Sequence, residues 1–268
     1  MDYKGVVHMH STYSYDAKVS LPDLKQLLVS EGISFACMTE HTNEMTPESA
    51  AAFVTECRSL SDESFVFVPG FEVPYKDPKV FHVLMIGATE FISSFAQEAE
   101  LRAWAEVSSL VVIAHPVRNK FFLDDTLKEV IDGVEIWNQQ YDGARVPRIQ
   151  SYRLLESLRE EKPKLLATGA LDFHRVEHLT YPRYDMTLQE LTEEAIITAL
   201  KKGDCTFGNS NHSISPKGTW SGAGKLSVRM TSFLSTQIIY LSKRISKILA
   251  KLGLSFPKSV KRVIRTRV

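Results

Sequence analysis

Short apolar runs alternate with helix-like segments through the first 210 residues of the chain. The runs GVVHMH, SFACMTEH, FVFVPGFEV, FHVLMIG, LVVIAHP, GVEIWN and LLATGALDFH are rich in Val, Ile, Leu and Phe. Most show no polar alternation, which predicts strands of a parallel sheet covered on both faces. Between them, LPDLKQLLVSEG, TPESAAAFVTECRSL, SFAQEAELRAWAEV, VPRIQSYRLLESLREE and LTEEAIITALKKG repeat apolar residues at helical spacing. Pro22 and Pro47 stand near predicted helix starts, and Gly32 and Gly203 near ends, where helices favour them. Repeated strand–helix units of this kind predict an α/β fold, either a β/α barrel or an open sheet.

Polar residues break the apolar pattern at one recurring place. His8 and His10 close the first predicted strand, and Glu40 and His41 the second. Glu72 comes at the third, His82 within the fourth, His115 at the fifth, and Asp172 with His174 at the seventh. The C-terminal strand ends are where β/α barrels build active sites. Six of the eight histidines belong to this set. In VVHMHSTYSYD, side chains at i and i+2 of a strand share a face, so His8 and His10 aim at the same place.

Imidazoles and carboxylates converging without cysteine form a nitrogen and oxygen donor set that suits Zn, Mn or Fe better than Ca or Mg. The set exceeds what one ion needs, so two or three divalent ions are expected as cofactors, with Glu72 as a natural bridge. Clustered divalent ions make hydroxide from water near neutral pH and clamp both oxygens of a phosphoryl displacement. Arg118 and Lys120 in AHPVRNK, and Arg175 in LDFHR, follow candidate ligands, and arginine can clamp phosphate oxygens through paired hydrogen bonds. Asn138 and Tyr141 in EIWNQQYDG are candidate pocket residues. His178 and His212 have no motif around them and are expected at the surface, and Cys37 is expected as a small core residue.

The segments HMHSTYSYD, TEHT, GFEV, FHVLMIG, AHP and LDFH occur in the order of the motifs of the polymerase and histidinol phosphatase (PHP) family, which the chain resembles from residue 5 to about 178. The resemblance implies a distorted (β/α)7 TIM-like barrel with a trinuclear site that hydrolyses phosphoesters. Carried over by position, it implies that His8, His10, Glu72 and Asp172 hold one ion. Glu72, His82 and His115 would hold a second, and Asp16, His41 and His174 a third. Glu72, Asp172, His174, Arg118 and Arg175 are the expected catalytic residues. The chain reads TEH where the family often has TDH, which places Glu40 behind the ligands. It also has Val6 where an acidic residue is common. Only 32 residues separate His82 from His115, too few for the inserted subdomain of longer, nuclease-like members.

Charge then divides the chain. The net charge is zero, but residues 213–268 carry 12 Lys and Arg with no acidic residue, leaving 20 basic and 32 acidic residues before them. We therefore expect a phosphoesterase domain over 1–212, a Gly/Ser-rich linker over 213–230 and a basic amphipathic tail, expected to be helical, over 231–268. In that tail Leu234, Ile238, Leu241, Ile245, Ile248, Leu249 and Leu252 form one stripe, opposite Lys243, Arg244, Lys247 and Lys251. Nucleic acid, an anionic membrane surface, or the domain's own acidic surface are its candidate partners. Three cysteines without Cys-x-x-Cys spacing, and no basic-then-apolar leader, predict a cytoplasmic protein, peripheral to the membrane if the tail binds lipid. The expected substrate is a nucleotide, a sugar phosphate or an oligonucleotide end. The rivals are a 5′-3′ exonuclease and a non-catalytic metal-binding module.

Overall fold

The computed structural model describes residues 1–76, 81–92, 98–218, 230, 234, 237, 241–242, 244–251 and 254–257. The apolar runs form strands and the 3.6-period segments form helices. The chain begins with β1 (Asp2–Met9), α1 (Leu21–Ser30), β2 (Phe35–Met38), β3 (Glu40–His41) and α2 (Pro47–Leu60). It continues through β4 (Val66–Val68), β5 (Gly70–Tyr75), β6 (Phe81–Ile86), α3 (Glu98–Val107), β7 (Leu110–Ile113) and α4 (Asp125–Val130). Then come β8 (Gly133–Asn138), α5 (Gln139–Asp142), α6 (Ile149–Glu161), β9 (Leu166–Ala170) and a short 3-10 turn, Val176–His178. Then follow β10 (Arg183–Thr187), α7 (Glu193–Lys202), β11 (Thr206–Asn209) and β12 (His212–Ile214).

The predicted punctuation holds. Ser20 caps α1 by accepting the Asp23 N–H, and Thr46 and Ser49 cap α2 reciprocally. Pro22 and Pro47 lie in the first turns of these helices. Gly203 ends α7 in the left-handed region at φ 62°, which costs glycine no Cβ clash. One apolar cluster runs through the strands and the buried faces of α1, α2, α6 and α7. Cys37, Cys57 and Cys205 are free and buried.

The strands differ from the one parallel sheet, closed or open, that strand–helix alternation suggests. The strands form two six-stranded sheets, in the orders β12-β11-β10-β1-β2-β4 and β3-β5-β6-β7-β8-β9. Both are mixed: β6 runs antiparallel to β5 and β7, and β10 runs antiparallel to β1 and β11. The reason lies in a connection. Only residues 76–80 join β5 to β6, and a parallel crossover needs about a dozen. His82 therefore sits at the start of its strand, not the end, and the reversal of β6 brings it to the same rim as the end of β5. The boundary expected after residue 212 also falls inside the sheet. His212 opens β12, and Pro216 O accepts hydrogen bonds from Ala167 N–H at 2.9 Å and Arg159 Nη2 at 2.6 Å.

The two sheets meet at the rim. β2 leads directly into β3, so one stretch of chain serves both. On the far side, Leu171 N–H donates to Val7 O at 3.0 Å, Phe173 N–H to His8 O at 3.2 Å, and His10 N–H to Phe173 O at 3.0 Å. The linker expected at 213–230 lies outside the described residues from 219 to 229, as do Ile238, Lys243 and Leu252 of the tail.

Gly70 opens β5 where the sheets adjoin, two residues before Glu72. A Cβ there would lie 2.6 Å from Met85 O and 2.8 Å from Met38 O, both backbone atoms that cannot swing aside. Gly70→Ala should lower stability by about 1–3 kcal/mol, read as a fall in the thermal midpoint. An unchanged midpoint would contradict the close approach of the two sheets.

Candidate metal centre

Every expected ligand reaches one rim of the fold. His8, His10, His41, Glu72, His82, His115 and Asp172 are buried, while His174 and Asp16 close the outer side and are partly exposed. Simple strand alternation does not deliver His8 and His10. The β1–β2 register shifts between Val7 and Met9, His8 adopts φ 64°, and His10 lies just past the strand. His115 at φ 27° and Asp172 at φ 53° are also left-handed, a conformation non-glycine residues avoid unless the surroundings impose it. Three site residues carry this strain at three strand ends.

Glu72 is the centre. Its Oε2 lies 3.0 Å from His8 Nε2, 3.2 Å from His10 Nε2 and 3.4 Å from His41 Nδ1. Its Oε1 contacts His82 Nδ1 and lies 2.9 Å from His115 Nε2. Asp172 Oδ1 stands 3.6 Å from His8 Nε2 and 3.4 Å from His174 Nδ1. On the outer side, His174 Nε2 is 3.4 Å from His41 Nε2 and 3.3 Å from Asp16 Oδ2, and His41 Nε2 is 3.7 Å from Asp16 Oδ1.

A set of groups behind these side chains fixes which nitrogen faces inward. His8 Nδ1–H donates to Glu135 Oε1 at 2.6 Å. Ser14 donates to Glu40 Oε2 at 2.5 Å, so its oxygen is left to accept from His10 Nδ1–H at 3.1 Å and His41 N–H at 2.9 Å. His174 Nδ1–H donates to Asp172 O at 2.9 Å. The Nε2 lone pairs of all three imidazoles then point at carboxylate oxygens or at each other. Lone pairs facing anionic oxygen repel unless a proton or a cation stands between them.

Divalent ions fit this arrangement. Among the described residues, His10 Nε2, His115 Nδ1 and Asp16 Oδ1 are buried without a hydrogen-bond partner, which is costly for polar atoms and is relieved by a ligand. Donor atoms fall within 4.8 Å of one another in three groups: His8, His10, Glu72 and Asp172; His41, Glu72 and His82; and His10, His41 and His174. The first coincides with an expected ligand set. The other two share most, not all, of their members with the expected second and third sets.

The electrostatics follow from burial among opposite charges. Burial raises the Glu72 carboxyl, but His41, His82 and His8 outweigh it and hold the group well below the usual range. Asp172 is held at about 2, because His8 and His115 more than reverse the effect of its burial. Burial lowers His8, yet Glu135, Asp172 and Glu72 raise it well above an ordinary imidazole. His10, by contrast, is lowered well below by burial and by His41 beside it. Glu40 is pushed up to about 7 by burial, against the hydrogen bonds from Ser14 and Ser11. It touches Ser11 and Ser14 and belongs to none of the three donor groups, in keeping with a place behind the ligands.

The expected phosphate-binding residues separate. Arg118 Nη1 lies 3.4 Å from His82 Nδ1 at the edge of the cluster. Lys120 and Arg175 are exposed, and among the described residues no hydrogen bond or ion pair joins Arg175 to the cluster. Tyr141 packs its ring 5.1 Å from His115, and Asn138 Nδ2 donates to Glu135 Oε2 at 3.0 Å and Asp172 Oδ2 at 3.3 Å. His178 is not an idle surface residue: its Nδ1 accepts the His174 N–H at 3.1 Å. Glu135 is the residue the motifs miss. Besides His8 it accepts the His115 N–H at 2.6 Å, so it orients two ligands at once. Its signal was a lone carboxylate inside the apolar run GVEIWN, which is tolerable in a buried strand only when paired.

The family model of the PHP domain matches residues 7–240. No curated protein matches the chain significantly. Among solved structures, the chain is similar to a two-domain protein from Bacteroides vulgatus ATCC 8482, described as containing a predicted PHP-like metal-dependent phosphoesterase. The TM-score is 0.57 at 15% identity, over 80% of this chain and 67% of that one. It is also similar to PsfC from Pseudomonas syringae PB-5123, with a TM-score of 0.53 and 14% identity, over 89% and 99% of the two chains. A third likeness is to the lesion-specific endonuclease PfuEndoQ from Pyrococcus furiosus, with a TM-score of 0.51 and 16% identity. It covers 75% of this chain and 56% of that one. At these identities the likeness is one of fold.

Glu135→Gln cannot accept from both His8 and the His115 backbone as the carboxylate does. Titration calorimetry of the metal-stripped variant with Mn²⁺ should show binding about 10–100-fold weaker than the parent, as loss of a ligand-orienting partner typically does. Unchanged affinity would remove Glu135 from the site.

Proposed function

The chain belongs to the PHP domain family, and on that footing we propose that it hydrolyses phosphoesters at the cluster around Glu72, with two or three divalent ions of Zn, Mn or Fe as cofactors. The observation that carries this reading is a single buried carboxylate in contact with five imidazoles. In this reading His8, His10, Glu72 and Asp172 hold one ion, Glu72, His82 and His115 a second, and Asp16, His41 and His174 a third. When bound, such ions acidify water and offset the charge that develops on a phosphoryl group. The same reading takes the two sheets as parts of a distorted (β/α)7 barrel with this cluster at its mouth.

The chain's own residues divide the work by burial and charge. Glu72 and Asp172, both held ionised, fix cations and do not exchange protons near neutral pH. His174 faces the open side beside Asp16, as a ligand of the third ion, and the proton for the leaving oxygen comes from water or a site carboxylate. Arg118, at the same edge, is positioned to hold the non-reacting phosphate oxygens. Arg175 is exposed and would have to swing inward on substrate to share that task. The substrate class is a nucleotide, a sugar phosphate or an oligonucleotide end. A 5′-3′ exonuclease acting on short oligonucleotides is the rival reading.

The test is phosphate release by the full chain loaded with Mn, Zn or Fe, from nucleotides, sugar phosphates and 5′-phosphorylated oligonucleotides. Glu72→Gln and Asp172→Asn should fall to background while keeping their circular dichroism. Arg118→Ala should raise KM about 10–100-fold, the range for losing a hydrogen bond to a charged group. Turnover that survives Glu72→Gln would overturn the mechanism. A metal-loaded parent that cleaves nothing would make the chain a non-catalytic metal-binding module.

A further inference from the structure

Beyond the sheet, the described part of the C-terminal segment presents an apolar face that no other described residue covers. Residues 241–242 and 244–251 are helical, as are residues 230, 234 and 237. Leu234, Leu241 and Ile248 are 57%, 58% and 58% exposed, Met230 is 59% exposed and Ile245 39%. Exposed aliphatic residues scattered singly are ordinary. These share a phase in the sequence: on a period of 3.6 residues Leu234, Leu241, Ile245 and Ile248 fall on one side. Lys247 and Lys251, both exposed, lie one turn apart along the flank of that side.

Two features must be met together by whatever covers this face. One is the aliphatic stripe, and the other is the charge of its surroundings, 12 Lys and Arg without one acidic residue over 213–268. A polynucleotide would neutralise the lysines but leave the stripe in water. The acidic body of the chain would do the same, and the stripe is not packed on it. An anionic bilayer meets both, with acyl chains for the stripe and phosphates for the lysines. Among the described residues no helix is long and apolar enough to cross a membrane, so the segment would lie on the surface. We propose that the helix bearing Leu241, Ile245 and Ile248 docks on an anionic lipid surface, with these side chains at the acyl boundary and Lys247 and Lys251 at the headgroups. Residues 1–212, with a charge of −12, are repelled by the same surface, so attachment falls to the tail.

The test is co-sedimentation of the full chain with vesicles of phosphatidylcholine, with and without phosphatidylglycerol. Binding is expected only to the anionic vesicles, weakening as salt rises. Both Ile245→Ser/Ile248→Ser and Lys247→Glu/Lys251→Glu should weaken it at least about tenfold, the scale of one buried aliphatic side chain. Small-ester hydrolysis should be unaffected in both variants, and the vesicle readout stands whether or not the chain hydrolyses anything. No binding to anionic vesicles would overturn the proposal. So would a Ser/Ser variant that binds them as the parent does, since the contact would then be charge alone. Tight oligonucleotide binding lost only in the Glu/Glu variant, or self-association lost only in the Ser/Ser variant, would instead assign the face to nucleic acid or to a second copy.

Discussion

A buried carboxylate surrounded by imidazoles is the constraint on which the rest of this structure turns. Glu72 is 1% exposed and touches His8, His10, His41, His82 and His115. Burying an anion is costly, and burying five nitrogen bases around it is tolerable only if their protons and lone pairs are assigned. Glu135, Ser14 with Glu40, and the Asp172 carbonyl make that assignment for His8, His10 and His174. What they leave is a ring of inward lone pairs and anionic oxygens, an arrangement completed by cations.

The fold supplies this geometry by bringing the rims of two mixed sheets together. β5 carries Glu72, β3 carries His41, and the reversed β6 returns His82 to the same edge. The segment after β9 closes against β1 through three backbone hydrogen bonds that span Asp172 and reach His8 and His10. The left-handed backbone at His8, His115 and Asp172 marks where the strands end and the side chains must turn inward. Such strain persists where surroundings over-determine it, and here the surroundings are the cluster itself.

Much of this was legible in the sequence because the chemistry repeats. Histidine and carboxylate closing one apolar run after another pointed to a single rim, and the helix caps at Ser20, Thr46 and Gly203 stand where Pro and Gly placed them. Other parts were illegible for physical reasons. Apolar runs report burial but not strand direction, so the antiparallel β6 could not be told from a parallel strand, and β10, β11 and β12 are too short and polar to stand out as runs. Alternation put His8 and His10 on one face, and a bulge at His8 brought them together by another route. Glu135 was hidden because its partners, His8 and the His115 backbone, are distant in sequence. His178 was hidden because its task is a backbone contact to His174.

The tail belongs to a different physics. It joins an exposed aliphatic stripe to positive charge, where the cluster joins buried nitrogen and oxygen donors. The cluster is read directly by anomalous X-ray diffraction from crystals grown with Mn²⁺. Anomalous peaks are expected about 2.0–2.2 Å from the Glu72 carboxylate oxygens, with histidine nitrogens completing each ion's shell. A well-ordered cluster with no anomalous peak at Glu72 would contradict a metal centre there, and would leave the five imidazoles held by protons alone.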